Sequence, residues 1–237
     1  MSNSNNQLPK SSANAEVTSF LQKVAKVPVV KAASEQGRLI FAMDATASRG
    51  PTWESACQIQ SRMFDATTAL GGLHIQLCYY RGQAEFSASP WLSRSDELKR
   101  RMSEVFCLGG MTQIGQVLRH ALQETTRRRV NALVFVGDCV EESVDRLCKQ
   151  AGELRMRGVP VFLFQEGCEP AAEKVFRRIA QLTGGAYCHF DAGSARQLAD
   201  LLSAVAVYAA GGQKALADFE RDRAGDVPRL LQQLDKG

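Results

Sequence analysis

Leu39-Ile40-Phe41-Ala42-Met43-Asp44-Ala45-Thr46-Ala47-Ser48 sets an apolar run directly against one carboxylate and two hydroxyls on alternate residues. The run is too short for a helix and shows no polar alternation, so it reads as a strand buried on both faces. The oxygens of Asp44, Thr46 and Ser48 then share one strand-to-helix turn and point the same way. In open α/β sheets, ligands gather in the crevice beyond the carboxyl ends of the strands, where the chain order switches direction. The polar residues that matter are therefore sought there.

Outward from this strand the same alternation repeats. Apolar residues from Trp53 to Leu70 recur at helical spacing, and LHIQLCYY, from Leu73, is a second strand, with AEFSAS after it as an edge strand. Residues 95 to 106 and 113 to 126 read as helices, separated by Leu108-Gly109-Gly110-Met111-Thr112. NALVFVGD is the next buried strand, followed by a helix from Val140 to Arg157, the strand VPVFLFQ, a helix from Ala171 to Leu182, the strand AYCHF and a helix from Ala195 to Ala209. Short apolar strands alternating with helices predict a doubly wound α/β fold. Its central sheet is mainly parallel, helices cover both faces, and one edge strand is antiparallel.

One domain accounts for residues 35 to 210. Residues 1 to 34 read as a Ser/Asn/Gln-rich disordered tail followed by a short amphipathic helix built on Val17, Phe20, Leu21, Val24 and Ala25, which could cap the domain. Residues 211 to 237 are charged and carry weak helical patterns broken by Gly225 and Pro228, an appendage.

Composition narrows the class. Of 237 residues, 45% are hydrophobic and 23% charged, near the globular average, and the net charge of +4 is small and dispersed. No nucleic-acid partner is implied. The basic cluster Arg127-Arg128-Arg129 falls at a helix end, where cations meet the negative end of the dipole. The first residues carry no apolar signal segment and no run approaches a membrane span, so a cytoplasmic protein is expected. Seven cysteines, at 57, 78, 107, 139, 148, 168 and 188, form no CxxC pair, which argues against structural zinc and against a disulfide framework. Cys139 is read as a small buried hydrophobe, and His74, His120 and His189 as structural, since none has a second nitrogen or sulfur ligand at useful spacing. Glu141 and Glu142 are read as favouring the amino end of the helix that follows them.

Three sequence elements then converge. Asp44-x-Thr46-x-Ser48 is followed by Gly109-Gly110-Met111-Thr112-Gln113-Ile114-Gly115-Gln116-Val117-Leu118, and later by Asp138 at the end of the strand Leu133 to Gly137. In this order they resemble the von Willebrand factor A (VWA) domain. Its metal-ion-dependent adhesion site (MIDAS) is written Asp-x-Ser-x-Ser, a distant Thr in a Gly-Gly-x-Thr loop, and a distant Asp. Leu182-Thr183-Gly184-Gly185-Ala186-Tyr187 extends the likeness towards the last strand. Thr46 replaces the first Ser and keeps its hydroxyl. Gly137-Asp138-Cys139 stands where many relatives have Thr-Asp-Gly.

The resemblance implies a Rossmann-like VWA fold of the intracellular bacterial type. Its divalent cation, Mg²⁺ or Mn²⁺, would be held by Asp44, Thr46, Ser48, Thr112 and Asp138. Hydroxyls and carboxylates suit such a hard ion, which keeps part of its water shell. The resemblance further implies an open coordination position completed by an Asp or Glu of a partner protein, and an adaptor role, with an AAA+ ATPase as a possible partner. The chain is thus expected not to be an enzyme. Two other readings stand beside this one. A Mg²⁺-dependent phosphatase could use Asp44 as nucleophile, but position 46 is Thr, so the second carboxylate of an Asp-x-Asp-x-Thr signature is missing. A scaffold could carry a vestigial metal site and bind through its tails.

Overall fold

The computed structural model describes residues 18–24, 26, 36–50, 72–190 and 195–234; the helix expected from Trp53 to Leu70 and the first seventeen residues lie outside them. In chain order the elements are α1 (18–24), β1 (Gly37–Asp44), a 3-10 turn (Ala47–Arg49), β2 (Leu73–Arg81), β3 (Glu85–Ala88), α2 (Ser95–Ser103) and α3 (Ile114–Arg127). There follow β4 (Ala132–Gly137), α4 (Val144–Met156), β5 (Val161–Glu166), α5 (Pro170–Thr183), β6 (Ala186–Phe190) and α6 (Ala195–Leu234). The six strands form one sheet in the order β3-β2-β1-β4-β5-β6. All neighbours are parallel except β3, which pairs antiparallel with β2 at the edge, as the sequence predicts.

Alternation along each strand divides the core. Leu39, Phe41 and Met43 of β1, with Phe162 and Phe164 of β5, pack under α1, α2 and α6. Ile40 and Ala42, with Leu133, Phe135 and Leu163, pack under α3, α4 and α5. Both faces of the parallel strands are thus dry, which accounts for their nearly continuous apolar sequences.

The core also draws on residues either side of the 35 to 210 span. Phe20 and Val24 are fully buried, and the Phe20 ring lies 5.2 Å from that of Phe164 and 6.1 Å from that of Phe162. α1 and α6 share the cover of these aromatics, since the Phe162 ring also lies 6.0 Å from that of Tyr208. Beyond residue 210 the helix α6 breaks at Gly212, whose backbone is left-handed (φ 77), yet Leu216 past the break is buried in the same cluster.

Helix boundaries follow local chemistry. α5 starts where Glu169 accepts a hydrogen bond from the Ala172 amide and Pro170 fills the first turn, and it stops at left-handed Gly184. α4 begins at Val144, later than the expected Val140, because Glu141 and Glu142 serve another element. No described helix is long and apolar enough to cross a membrane.

Candidate metal centre

The order of strands makes β1 and β4 neighbours although their sequences lie far apart, and β1 has β2 on its other side. This is the switch point of the sheet. Asp44 closes β1 there and Asp138 follows the last residue of β4, with Met43 opposite Val136 in register.

Asp44 is fully buried. Its Oδ1 accepts from the Thr46 amide at 2.7 Å and its Oδ2 accepts from the Tyr80 hydroxyl at 2.9 Å. Tyr80 sits opposite Asp44 in the β1–β2 register, so the parallel pairing brings the two side chains to one face. Burial raises the Asp44 carboxyl above the usual carboxylate range, opposed by the hydrogen bonds from Thr46 and Tyr80, with the nearby Asp138 charge adding a smaller upward push. One turn on, the hydroxyls of Thr46 and Ser48 lie 3.1 Å apart, Thr46 buried and Ser48 exposed.

The loop carrying Thr112 reaches this end of the sheet through its backbone. The Leu108 amide donates to the Ala45 carbonyl at 3.0 Å, and the Met111 amide to the Gly82 carbonyl at 3.2 Å. Gly110 permits the approach, since a Cβ there would lie 1.9 Å from the Gly82 oxygen. Thr112 is buried and tied to the segment after Asp138: its amide donates to the Glu141 carboxylate and its hydroxyl accepts from the Glu141 amide, both at 2.9 Å. The second and third elements of the pattern are thereby fastened together. None of the hydrogen bonds of Thr112 reaches Asp44.

Several contacts near this centre were not visible to sequence reasoning. Glu142 accepts from the amides of Ile114 and Gly115, the first turn of α3, whose own flanking residue Gln113 supplies no side-chain cap. The two glutamates therefore serve the start of α3 and the Thr112 loop, not the start of α4, which corrects the expectation for them. Nothing in the sequence marks such a long-range cap. Arg49 is buried with its side chain 1% exposed and pairs with Glu166 at the end of β5. Burial lowers its pKa, and the charges of Asp138 and Asp44 oppose that shift. The structure thus sets one buried cation close to the two aspartates.

Other expectations can be placed. The Cys139 thiol is pushed up to about 12, chiefly by burial and then by Asp138, so it is no ready nucleophile. The described cysteines are all free. His120 bonds to Gln76 at 2.9 Å, a structural contact. His189 does have a sulfur neighbour, because parallel pairing of β5 and β6 brings Cys168 to 3.7 Å from its Nε2. Among the described residues no three His, Cys, Asp or Glu side chains gather as a metal site.

A cation at the switch point would therefore depend on hydroxyl oxygens and the two aspartates. The buried Oδ1 of Asp138 has no hydrogen-bond partner. With the Arg49 charge nearby but no hydrogen bond to it, that oxygen keeps its lone pairs for a ligand, and an all-oxygen donor set fits a hard divalent ion. The residues present fit the ion.

Replacing Glu142 by Ala is expected to destabilise the protein by about 1–3 kcal/mol, because two buried amides of α3 lose their acceptor. Chemical denaturation measures this, and a loss within error of zero would rule out the capping role.

The fold and the site can be set beside known proteins. The chain has the Rossmann-like fold of VWA domains. It superposes on the VWA domain of SpRpn10 with a TM-score of 0.57 at 13% identity, covering 71% of this chain and 94% of that one. An aerotolerance-related membrane protein from Bacteroides fragilis gives 0.53 at 18% identity, covering 69% and 96%. Proximal thread matrix protein 1 from the mussel byssus, in a structure with a zinc-occupied MIDAS motif, gives 0.59 at 14% identity, covering 75% and 47%. By sequence, no family model and no curated protein matches.

Proposed function

We propose that this chain is an intracellular, metal-dependent protein-binding module that engages an acidic residue of a partner. The observation that carries the reading is the buried, unpartnered Asp138 oxygen at the same sheet end as buried Asp44 and the Thr46 and Ser48 hydroxyls. In this reading Asp44, Thr46, Ser48, Thr112 and Asp138 hold Mg²⁺ or Mn²⁺. When bound, the ion supplies a positive centre with an open position for an Asp or Glu side chain. The zinc-occupied MIDAS of the mussel protein supports a divalent cation in this fold.

The residues themselves supply the rest. Tyr80 and the Thr46 amide orient the Asp44 carboxylate. Glu141 fixes Thr112, and Glu142 fixes the helix that follows it. Phe106, Leu108 and Met111, 62%, 46% and 55% exposed, stand on the loop leading to Thr112 and offer an apolar rim to whatever docks there. An adaptor role, with an AAA+ ATPase among candidate partners, accords with such a surface. Hydrolysis fits less well. Both Asp44 oxygens are already hydrogen-bonded, and no acid stands at position 46 to protonate a leaving group.

Affinity capture with the intact chain tests the reading. A partner retained in Mg²⁺ is expected to be lost both in EDTA and with Ser48→Ala. Capture indifferent to both treatments would count against it, as would Mg²⁺-dependent phosphatase turnover abolished by Asp44→Ala.

A further inference from the structure

Four cations from three parts of the chain meet at one cavity of about 610 Å³. Lys23 of α1 and Lys26 just past its end line it together with Arg155 in the last turn of α4 and Arg177 of α5, around the turn Gly184–Gly185. None of its described lining residues is acidic. The cavity opens at the amino end of β6, which lies at the opposite end of the sheet from Asp44 because β6 runs parallel to the other central strands.

Cations gather at helix carbonyl ends, and that accounts for one of the four. Arg155 Nη1 donates to the Thr183 carbonyl at 3.4 Å, lying against Gly184 where a Cβ would come within 2.1 Å of it. The carbonyls of Ala180 and Gln181 are already met by the amides of Gly185 and Gly184, so the end of α5 calls for no further cation there. Arg177 pairs with Glu173 at 2.7 Å and lies 4.3 Å over the Tyr187 ring. Lys23 and Lys26 are exposed, and no described carboxylate pairs with either of them or with Arg155. Positive charge is left over at the cavity.

We propose that this cavity binds a compact anion bearing at least two phosphate groups. A cleft lined by charges of one sign focuses their field on whatever enters it. Arginine forks match the paired oxygens of a phosphate, and lysines add point charges that adapt to its position. The cavity falls within the range of about 300–1,000 Å³ common for small-ligand sites. An extended acidic peptide fits less well, because the cavity touches only Ala186 and Tyr187 of β6 and offers no length of strand to pair with. A stacked base finds no open ring either, since Tyr187 is buried under Arg177.

The test uses the full chain in EDTA, so that the metal centre takes no part and no Mg²⁺ competes for the probe. Inorganic tripolyphosphate is titrated by calorimetry at fixed ionic strength. Saturable binding is expected, weakened about tenfold or more by K23Q/K26Q and unchanged in R100Q/R101Q, which removes two cations that line no part of the cavity. Amide shifts should centre on Gly184 and Gly185, and D44A should bind as the parent does. A second arm identifies the source of the phosphates. Sedimentation with phosphatidylcholine vesicles containing a phosphatidylinositol bisphosphate, reversed by tripolyphosphate, assigns them to a lipid headgroup, and tripolyphosphate binding without sedimentation assigns them to a soluble ligand. The proposal is overturned by no binding of tripolyphosphate, by indifference to K23Q/K26Q, or by equal loss in R100Q/R101Q. Displacement of tripolyphosphate by a hexaglutamate peptide at equal concentration would overturn it as well. Failure here leaves the reading of the metal centre standing, and success does not depend on it.

Discussion

Asp44→Asn is expected to leave the metal-free protein more stable than the parent at neutral pH, by about 1–2 kcal/mol, and to remove its stabilisation by Mg²⁺. The sign follows from burial. The folded Asp44 carboxyl titrates above its usual range, so the native state binds its proton more tightly than the unfolded chain does. The favourable contribution of that proton is present at low pH and is lost as pH rises through the raised folded value. The parent therefore gains on the variant as pH falls towards the unfolded carboxylate value of about 4. With Mg²⁺ present the order reverses. An ion at a hundred times its dissociation constant stabilises the parent by about 2.7 kcal/mol and leaves the variant unmoved. Thermal or urea unfolding of both proteins, with Mg²⁺ and with EDTA, measures all four states. A Mg²⁺ response retained in Asp44→Asn would remove Asp44 from the ligand set.

The second large effect lies far from the metal centre. Phe20→Ala is expected to cost about 3–5 kcal/mol, the usual range for emptying a fully buried aromatic site. The rings of Phe162 and Phe164 would lose the part of their cover that Phe20 gives, and no other described aromatic of α1 can replace it. Removing residues 1 to 34 should cost at least as much. Urea denaturation checks both, and a loss below about 1 kcal/mol for Phe20→Ala would mean that α1 is only loosely seated.

Much of the fold was legible because its signals are local. The runs Leu39 to Met43, Leu133 to Val136 and Val161 to Phe164 could only be doubly covered strands, and the weaker AEFSAS reads correctly as an edge. Helix ends were less legible wherever a distant group decides them. Val140 to Ser143 has helical composition, but Glu141 and Glu142 are committed to Thr112 and α3, so α4 starts late. α1 was visible as an amphipathic pattern, but its target, the aromatic face of β5, was not.

At the candidate site, the sequence placed Asp44, Thr46 and Ser48 on one turn and Asp138 at a strand end, and the structure sets these ends side by side. It did not foretell Tyr80, Arg49 or Glu166. Tyr80 follows from strand register, and the Arg49–Glu166 pair spans two strand ends whose proximity only the assembled sheet defines.

The pairing of β1 with β4 also bears on how the protein folds. Leu39 meets Ala132 across most of the first half of the chain, so this ladder closes a long loop and is slow to form. Asp44 and Asp138 are brought together only when it has closed. A cation that needs both is therefore expected to bind after the folding barrier has been crossed. Saturating Mg²⁺ is accordingly expected to slow unfolding while leaving the refolding rate unchanged, making the ion a source of kinetic persistence and not a guide to folding.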